Sequence, residues 1–233
     1  MDGLKKFLDI AFLNEHIHHK DIKLFCSSIN KMTCKPASVC VYPEHIEAIQ
    51  DCLSRPQVPV TTVLNFPHGL HEWDQLESDI LHAVSLNVSE IDIVIPYGKW
   101  LSQHDPLTLV QFAEYCRDAV GDNIVLKYII ETGVLQKEAL ISEVSLLLCE
   151  HGADFIKTST GKIVPGATIL ATKAIIKAIQ QYHQQTNKKV GLKIAGGIRT
   201  SEQAYEYIHL VQTTLGAEWL TPRYFRVGCS KAL

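Results

Sequence analysis

Several features that mark large classes of protein are absent from this sequence. No apolar run approaches the length that crosses a bilayer, and the opening residues lack the apolar core of a signal peptide. The net charge of −3 provides none of the overall basicity that suits nucleic acid or an anionic membrane surface. We therefore expect a cytoplasmic protein with no nucleic-acid partner and no membrane contact.

The spacing of the cysteines shows no paired pattern. The seven cysteines are scattered, odd in number and without a Cys-x-x-Cys pair, which argues against a disulfide framework and against a zinc site. His16, His18 and His19 lie close together, but they have no acidic or thiol partner at a useful spacing. A solvated surface is the favoured interpretation of these histidines, and no metal ion is expected.

The composition suits one large core. The 233 residues are 46% hydrophobic and 20% charged, which is typical of one globular domain over residues 1–233. No interdomain linker, low-complexity tract or internal repeat divides the chain.

Short β-branched runs alternate with stretches that carry apolar residues at helical spacing, such as Leu76, Ile80 and Ala83. Strands joined by helices of this length must run parallel, and eight such units favour a closed (β/α)₈ barrel over an open sheet. The first 30 residues are predicted to form helices that precede the barrel. The predicted strands cover residues 37–42, 60–65, 91–95, 124–130, 155–158, 190–194, 217–220 and 224–227.

Charged residues interrupt four of the predicted strands, at Asp92, Lys127, Lys157 and Lys193. In a buried parallel strand such a residue must be paired or functional, and a structural ion pair is the alternative for any one of them. Since a barrel has one interior and a catalytic face at the C-terminal ends of its strands, the four residues are expected to converge.

These residue types predict imine chemistry without a metal. A lysine attacks a carbonyl only when it is unprotonated, and burial or a neighbouring cation lowers its pKa. We expect Lys157 to be the nucleophile, Lys193 to supply the neighbouring charge, and Asp92 to act as general acid or base, directly or through water. Lys127 is expected to support them by pairing with Glu131 or Asp92.

Three segments that follow predicted strands suit an anion. Glycines let backbone N–H groups approach phosphate oxygens, and the loops after the last strands are a common phosphate site in such barrels. The segments are residues 158–162, 195–200 and 227–230.

Together these segments resemble the deoxyribose-phosphate aldolases, over nearly the whole chain. The motifs that carry the resemblance are Cys40-Val41-Tyr42-Pro43, Asn65-Phe66-Pro67-His68-Gly69, Glu90-Ile91-Asp92-Ile93-Val94, Ile129-Ile130-Glu131-Thr132-Gly133, Ala153-Asp154-Phe155-Ile156-Lys157-Thr158-Ser159-Thr160-Gly161 and Lys193-Ile194-Ala195-Gly196-Gly197-Ile198-Arg199-Thr200.

The resemblance implies reversible cleavage of 2-deoxy-D-ribose 5-phosphate to acetaldehyde and D-glyceraldehyde 3-phosphate, without a cofactor. By motif, Lys157 matches the Schiff-base lysine, Lys193 the lysine that perturbs it, and Asp92 the acid/base aspartate. A homodimer is compatible with the resemblance, although no interface pattern is readable. The residues expected to bind substrate or phosphate are Asp9, Gly161, Lys162, Gly196, Gly197, Arg199, Gly228 and Ser230.

The sequence departs from the family pattern at three positions and at its end. Ala11 and Phe12 replace a threonine and a short residue after Asp9, and Lys231 replaces a serine. The chain ends at Leu233 with the final helix missing or short, which predicts uncovered outer surfaces on the first and last strands. These departures motivate two alternatives, a related Schiff-base aldolase with an altered acceptor and a non-catalytic sugar-phosphate-binding barrel.

Overall fold

The computed structural model describes residues 2–14, 16–54 and 58–233. Its strands form a closed barrel in which each strand is parallel to the next and the last pairs with the first. The strands are β1 (Leu8–Phe12), β2 (Ser38–Val41), β3 (Val60–Leu64), β4 (Glu90–Val94), β5 (Val125–Ile129), β6 (Phe155–Lys157), β7 (Gly191–Ala195) and β8 (Phe225–Cys229).

Helices surround this barrel, and none in the described ranges combines the length and apolar character that a membrane span requires. Short 3₁₀ turns cover Pro43–His45 and Ala217–Trp219. The α-helices are α1 (Asp2–Lys5), α2 (His19–Asn30), α3 (Ile46–Cys52), α4 (Trp73–Ser85), α5 (Tyr97–Gln103), α6 (Pro106–Val120), α7 (Thr132–Leu135), α8 (Glu138–Glu150), α9 (Ile169–Thr186) and α10 (Ser201–Thr214).

Local sequence signals explain where the helices begin and which face they bury. In α4, Leu76, Ile80 and Ala83 recur at helical spacing and are buried. Asp105 caps α6 by accepting a hydrogen bond from the Leu107 N–H at 3.0 Å. These signals place the apolar faces of the helices against the strands. The closed ring of eight parallel strands confirms the predicted (β/α)₈ barrel.

The prediction that only helices precede the first strand is wrong. Leu8–Phe12 forms β1, which pairs with both β2 and β8 and closes the barrel. One short helix precedes β1, and α2 follows it. Leu8 and Ile10 face the outer helices whereas Asp9 is buried inside the barrel, so this strand combines an apolar outer face with a charged inner one.

The predicted strand at residues 217–220 is also wrong. Ala217–Trp219 is a 3₁₀ turn that follows Gly216, whose φ of +100° stops the preceding helical path. Trp219 is buried and its indole N–H donates to the Val190 carbonyl at 3.1 Å, so its side chain plugs the space beside β7. The apolar character of this segment therefore reflects packing and not strand pairing.

The prediction of an uncovered outer surface is wrong too. No helix follows β8 in the described residues 230–233, yet Phe225 and Val227 on β8 are fully buried. The Phe7 ring packs edge-on against Phe225, with 5.5 Å between the ring centroids. Leu4 of α1 is buried as well, so the N-terminal segment takes part in covering this side of the barrel.

Candidate active site

The C-terminal ends of the strands open into a cavity of about 260 Å³. Such a position is the catalytic face of (β/α)₈ barrels. Asp92 does not line the cavity; it is fully buried and contacts Lys157 and Lys193, which do line it. All the other residues that the sequence nominated line the cavity, namely Asp9, Lys157, Gly161, Lys162, Lys193, Gly196, Gly197, Arg199, Gly228 and Ser230.

Lys157 and Lys193 are register partners on the adjacent strands β6 and β7. Because side chains alternate along a strand, this register directs both amines to the same interior. Lys157 Nζ and Lys193 Nζ each lie 2.7 Å from Asp92 Oδ2 on β4. Lys193 also forms an ion pair with Asp9 on β1. The structure thus brings the three predicted chemical residues into direct contact.

A second layer of ion pairs supports this group from below. Lys127 on β5 lies 2.8 Å from Asp92 Oδ1 and also contacts Glu90. Arg226 on β8 bridges Glu90 at 2.8 Å and Asp9 at 2.9 Å. The expected Lys127–Asp92 pair is therefore present.

The alternative pair between Lys127 and Glu131 is not formed. The Glu131 carboxylate instead accepts hydrogen bonds from Thr160.

The buried charges do not balance when every group is ionised. Burying net charge is costly, so release of one proton from a basic group stabilises the cluster. The cluster contains three carboxylates and four basic groups, namely Asp9, Glu90 and Asp92, and Lys127, Lys157, Lys193 and Arg226.

Lys157 is the basic group that most readily gives up this proton. Lys193 and Arg226 each contact two carboxylates and Lys127 contacts three. Lys157 contacts Asp92 alone, and it shares that carboxylate with two other lysines. Burial lowers the pKa of Lys157, the Lys193 charge lowers it further, and Asp92 opposes both without cancelling them. Lys157 is therefore the amine most suited to attack a carbonyl.

Both partners of Lys157 are held in their charged forms, so the pKa of Lys193 is raised and the pKa of Asp92 is lowered. Burial disfavours the Lys193 ammonium, but Asp9 and Asp92 outweigh it and hold the pKa of Lys193 above its ordinary value. Burial also opposes ionisation of Asp92, yet the three lysines keep the pKa of that carboxyl well below its usual range. Lys193 thus stays a cation and Asp92 an anion near neutral pH.

Cys40 adds no charge to this group. It lines the cavity and is buried, and burial raises the pKa of its thiol to about 11. The thiol therefore stays neutral near neutral pH.

Backbone contacts between loops form the rim of the cavity. Gly196 has φ +88°, and a Cβ at this position would lie 2.9 Å from the Gly166 Cα and 3.4 Å from the Gly161 Cα. Only glycine permits this approach of the two loops that follow β6 and β7. The rim also carries the exposed cations Lys162 and Arg199, so an anion entering here meets both backbone and positive charge.

The three departures from the family pattern fall in different places. Ala11 lines the cavity beside Cys40, its register partner on β2. Phe12 stacks on Phe25 of α2, with ring centroids 4.5 Å apart, and is absent from the cavity wall. Lys231 is exposed and does not line the cavity. Ala11 is thus the only one of these three that forms part of the cavity.

Sequence reasoning missed Glu90 and Arg226, and it included Thr160 only as part of the anion-binding segment 158–162. Glu90 stands two residues before Asp92 on the same strand, so period-two alternation places both on the inner face. Arg226 and Gly228 share the same relationship on β8. This alternation was the signal that could have identified Glu90 and Arg226 as members of the buried cluster.

The fold is a (β/α)₈ barrel, with its cavity at the face where such barrels carry their active sites. The sequence pattern of the DeoC/LacD family aldolases matches residues 6–218. The chain therefore belongs to the DeoC/LacD family of aldolases.

Solved structures agree with this assignment. A Coccidioides immitis protein attributed to the deoxyribose-phosphate aldolases has 27% identity and a TM-score of 0.83, covering 98% of this chain and 82% of the other. A Toxoplasma gondii ME49 protein with the same attribution has 23% identity and a TM-score of 0.85, covering 97% and 88%. A tetrameric deoxyribose phosphate aldolase from Aeropyrum pernix has 16% identity and a TM-score of 0.75, covering 99% and 88%. The last two likenesses establish the fold alone.

Proposed function

We propose that this protein reversibly cleaves 2-deoxy-D-ribose 5-phosphate to acetaldehyde and D-glyceraldehyde 3-phosphate through a Schiff base on Lys157. The observation that carries the proposal is a buried amine with a lowered pKa in the wall of a cavity rimmed by glycine loops and cations. Membership of an aldolase family supports the reaction class.

The first half of the reaction uses Lys157 and Lys193. Neutral Lys157 attacks the aldehyde carbon of the open-chain sugar and forms a carbinolamine. The Lys193 ammonium, which lines the same cavity, donates a proton to the departing hydroxyl, and water leaves as the imine forms. The raised pKa of Lys193 keeps the group protonated near neutral pH, so a proton is available in the cavity when the carbinolamine forms.

The second half needs a base. Asp92 is fully buried and absent from the cavity wall, so it accepts the proton of the C3 hydroxyl through water or by way of Lys193. The C2–C3 bond then breaks and releases D-glyceraldehyde 3-phosphate, and its electron pair forms an enamine on Lys157. Protonation at carbon and hydrolysis release acetaldehyde and restore the amine.

Turnover assays test this proposal. Acetaldehyde released from 2-deoxyribose 5-phosphate is followed by its reduction with NADH and alcohol dehydrogenase. We expect turnover of roughly 1 per second or more, and background rates for Lys157→Met. Absence of cleavage by the folded wild-type protein contradicts the proposal.

Comparison with unphosphorylated 2-deoxyribose separates the proposed reaction from that of an aldolase with an altered acceptor. Strong preference for the phosphorylated sugar supports the rim as a phosphate site. Equal use of both sugars favours the altered acceptor instead.

A further inference from the structure

Glu131 is a buried carboxylate to which the proposed reaction gives no part. It stands two residues after the end of β5 and is fully buried. Its φ of +51° lies in the left-handed region, which is unfavourable for a residue with a Cβ. Backbone hydrogen bonds fix the chain on both sides, because Ile130 N–H donates to the Lys157 carbonyl at 3.1 Å and Thr132 N–H to the Thr158 carbonyl at 2.8 Å. A strained, firmly held conformation of this kind suggests a functional constraint.

The Glu131 side chain holds one residue of the cavity wall. Glu131 Oε2 accepts from the Thr160 backbone N–H at 3.1 Å and from the Thr160 hydroxyl at 2.5 Å. The same hydroxyl accepts from the Lys162 N–H at 3.1 Å. A continuous chain of hydrogen bonds therefore runs from Glu131 through Thr160 to the backbone of Lys162.

The loop that this chain reaches has little other support. In the parts of the chain that the structure describes, residues 159–166 make no backbone–backbone hydrogen bond. Gly161, at the centre of the rim, has φ +80° and contributes no side chain. Lys162 Nζ donates to the Leu13 carbonyl at 3.1 Å, but this contact lies at the exposed end of a flexible side chain. The loop is held at its ends, where Thr158 and Ala167 bond to Ala195, and the bonds to Glu131 are its buried anchor between those ends.

We propose that Glu131 is a positioning residue for the phosphate end of the substrate, because it fixes Thr160 and thereby the backbone of Gly161 and Lys162 at the rim. The inference rests on the proposed function. Glu131 is outside the cavity wall, so it acts through Thr160 and not by contact with substrate. Burial raises the pKa of Glu131, while the hydrogen bonds from Thr160 and the charge of Lys157 oppose that rise.

Removal of the carboxylate should affect phosphate recognition more than chemistry. For Glu131→Ala we expect the KM for 2-deoxyribose 5-phosphate to rise about tenfold, as loss of such hydrogen bonds predicts. The kcat and the rate of acetaldehyde trapping on Lys157 should change far less than the KM, since Lys157 keeps its ion pair with Asp92 and loses only its weaker interaction with the Glu131 charge. Glu131→Gln retains an oxygen that accepts from both Thr160 donors, so its KM should stay near that of the wild type.

Control variants isolate the link to Thr160. Glu143→Ala removes an exposed glutamate of α8 and should change nothing. The double variant Glu131→Ala with Thr160→Ala should raise the KM no further than the larger single effect, because both changes break one chain. If Glu131→Ala does not fold, Glu131→Asp shortens the side chain by one methylene and carries the same expectation.

A binding measurement distinguishes failure of this inference from failure of the proposed reaction. Titration calorimetry with inorganic phosphate needs no turnover, and Glu131→Ala should raise the Kd about tenfold. Wild-type protein that binds phosphate but does not cleave the sugar contradicts the proposed reaction, and the Kd of Glu131→Ala then decides the role of Glu131. The inference is overturned if Glu131→Ala leaves the KM and the Kd unchanged, or if it lowers kcat equally with both sugars. It is also overturned if Glu131→Gln is as impaired as Glu131→Ala.

Discussion

Lys157 and Lys193 share one oxygen of Asp92, with each amine nitrogen 2.7 Å from Oδ2. Two cations on one oxygen repel each other, and Lys193 has a second carboxylate in Asp9 whereas Lys157 has none. The proton that the cluster cannot accommodate is therefore removed most easily from Lys157. This asymmetry gives two chemically similar lysines different roles.

Removal of the Lys193 charge should move the pH dependence of the reaction. Lys157 reacts when unprotonated, so activity rises as the pH passes upward through its pKa. Lys193→Met removes the cation and leaves Asp92 and Asp9 with fewer partners, and both effects stabilise the Lys157 ammonium. We expect the acidic limb of the kcat/KM profile to move up by about one pH unit or more, besides a lower maximum rate. A limb that stays in place refutes the coupling.

Replacement of Asp92 should separate imine formation from bond cleavage. Asp92→Asn removes a negative charge, which favours the neutral form of Lys157, so borohydride should still trap acetaldehyde on it. Cleavage of 2-deoxyribose 5-phosphate should fall by a factor on the order of 10²–10⁴, because the base is lost. Asp118→Asn, at an exposed position on α6, serves as the control. Loss of trapping and cleavage together in a folded variant would argue against the division of roles.

The cations of the rim should act on phosphate alone. Lys162→Ala and Arg199→Ala are each expected to raise the KM for the phosphorylated sugar about tenfold and to leave the use of 2-deoxyribose unchanged. Lys173→Ala, an exposed cation on the outer helix α9, is the control for charge. Equal effects on both sugars would contradict the assignment of Lys162 and Arg199 to phosphate binding.

The close approach of the rim loops at Gly196 should make substitution of that glycine destabilising. Gly196→Ala places a Cβ 2.9 Å from the Gly166 Cα on a backbone with φ +88°. We expect a loss of at least about 1 kcal/mol, which corresponds to a decrease of ~2–4 °C in Tm, together with a raised KM for the phosphorylated sugar. Gly98→Ala is the matched control, since its Cβ meets no atom within 4 Å. Thermal unfolding of both variants checks the difference, and equal Tm values would contradict it.

The sequence predicted the barrel because helical and strand periodicities alternate along most of the chain. It failed at β1, where Asp9 interrupts a five-residue strand that stands beside helical segments. It also failed at Ala217–Trp219, a 3₁₀ turn whose buried tryptophan gives the segment the apolar character of a strand. The two errors compensated in the strand count. In both cases tertiary packing decided the structure and local propensity did not.

The site was predictable where chemistry depends on residue type. Lys157, Lys193 and Asp92 are charged residues in buried strands. Burying a charge is costly in free energy, so such residues stand out as functional candidates. Glu131 was not predictable as an anchor, because its role depends on a left-handed φ and on contact with a loop 29 residues away. The absence of Asp92 from the cavity wall likewise follows from barrel geometry and not from its neighbours in sequence.

The central claim is that Lys157 forms the imine, and borohydride reduction in the presence of acetaldehyde tests it most directly. The account predicts a stable adduct, located by peptide mass spectrometry on Lys157, that grows faster as the pH rises through the lowered pKa of that residue. It also predicts no adduct in Lys157→Met. An adduct on Lys193 or Lys127 in the wild type, or none in folded wild-type protein, would contradict the account.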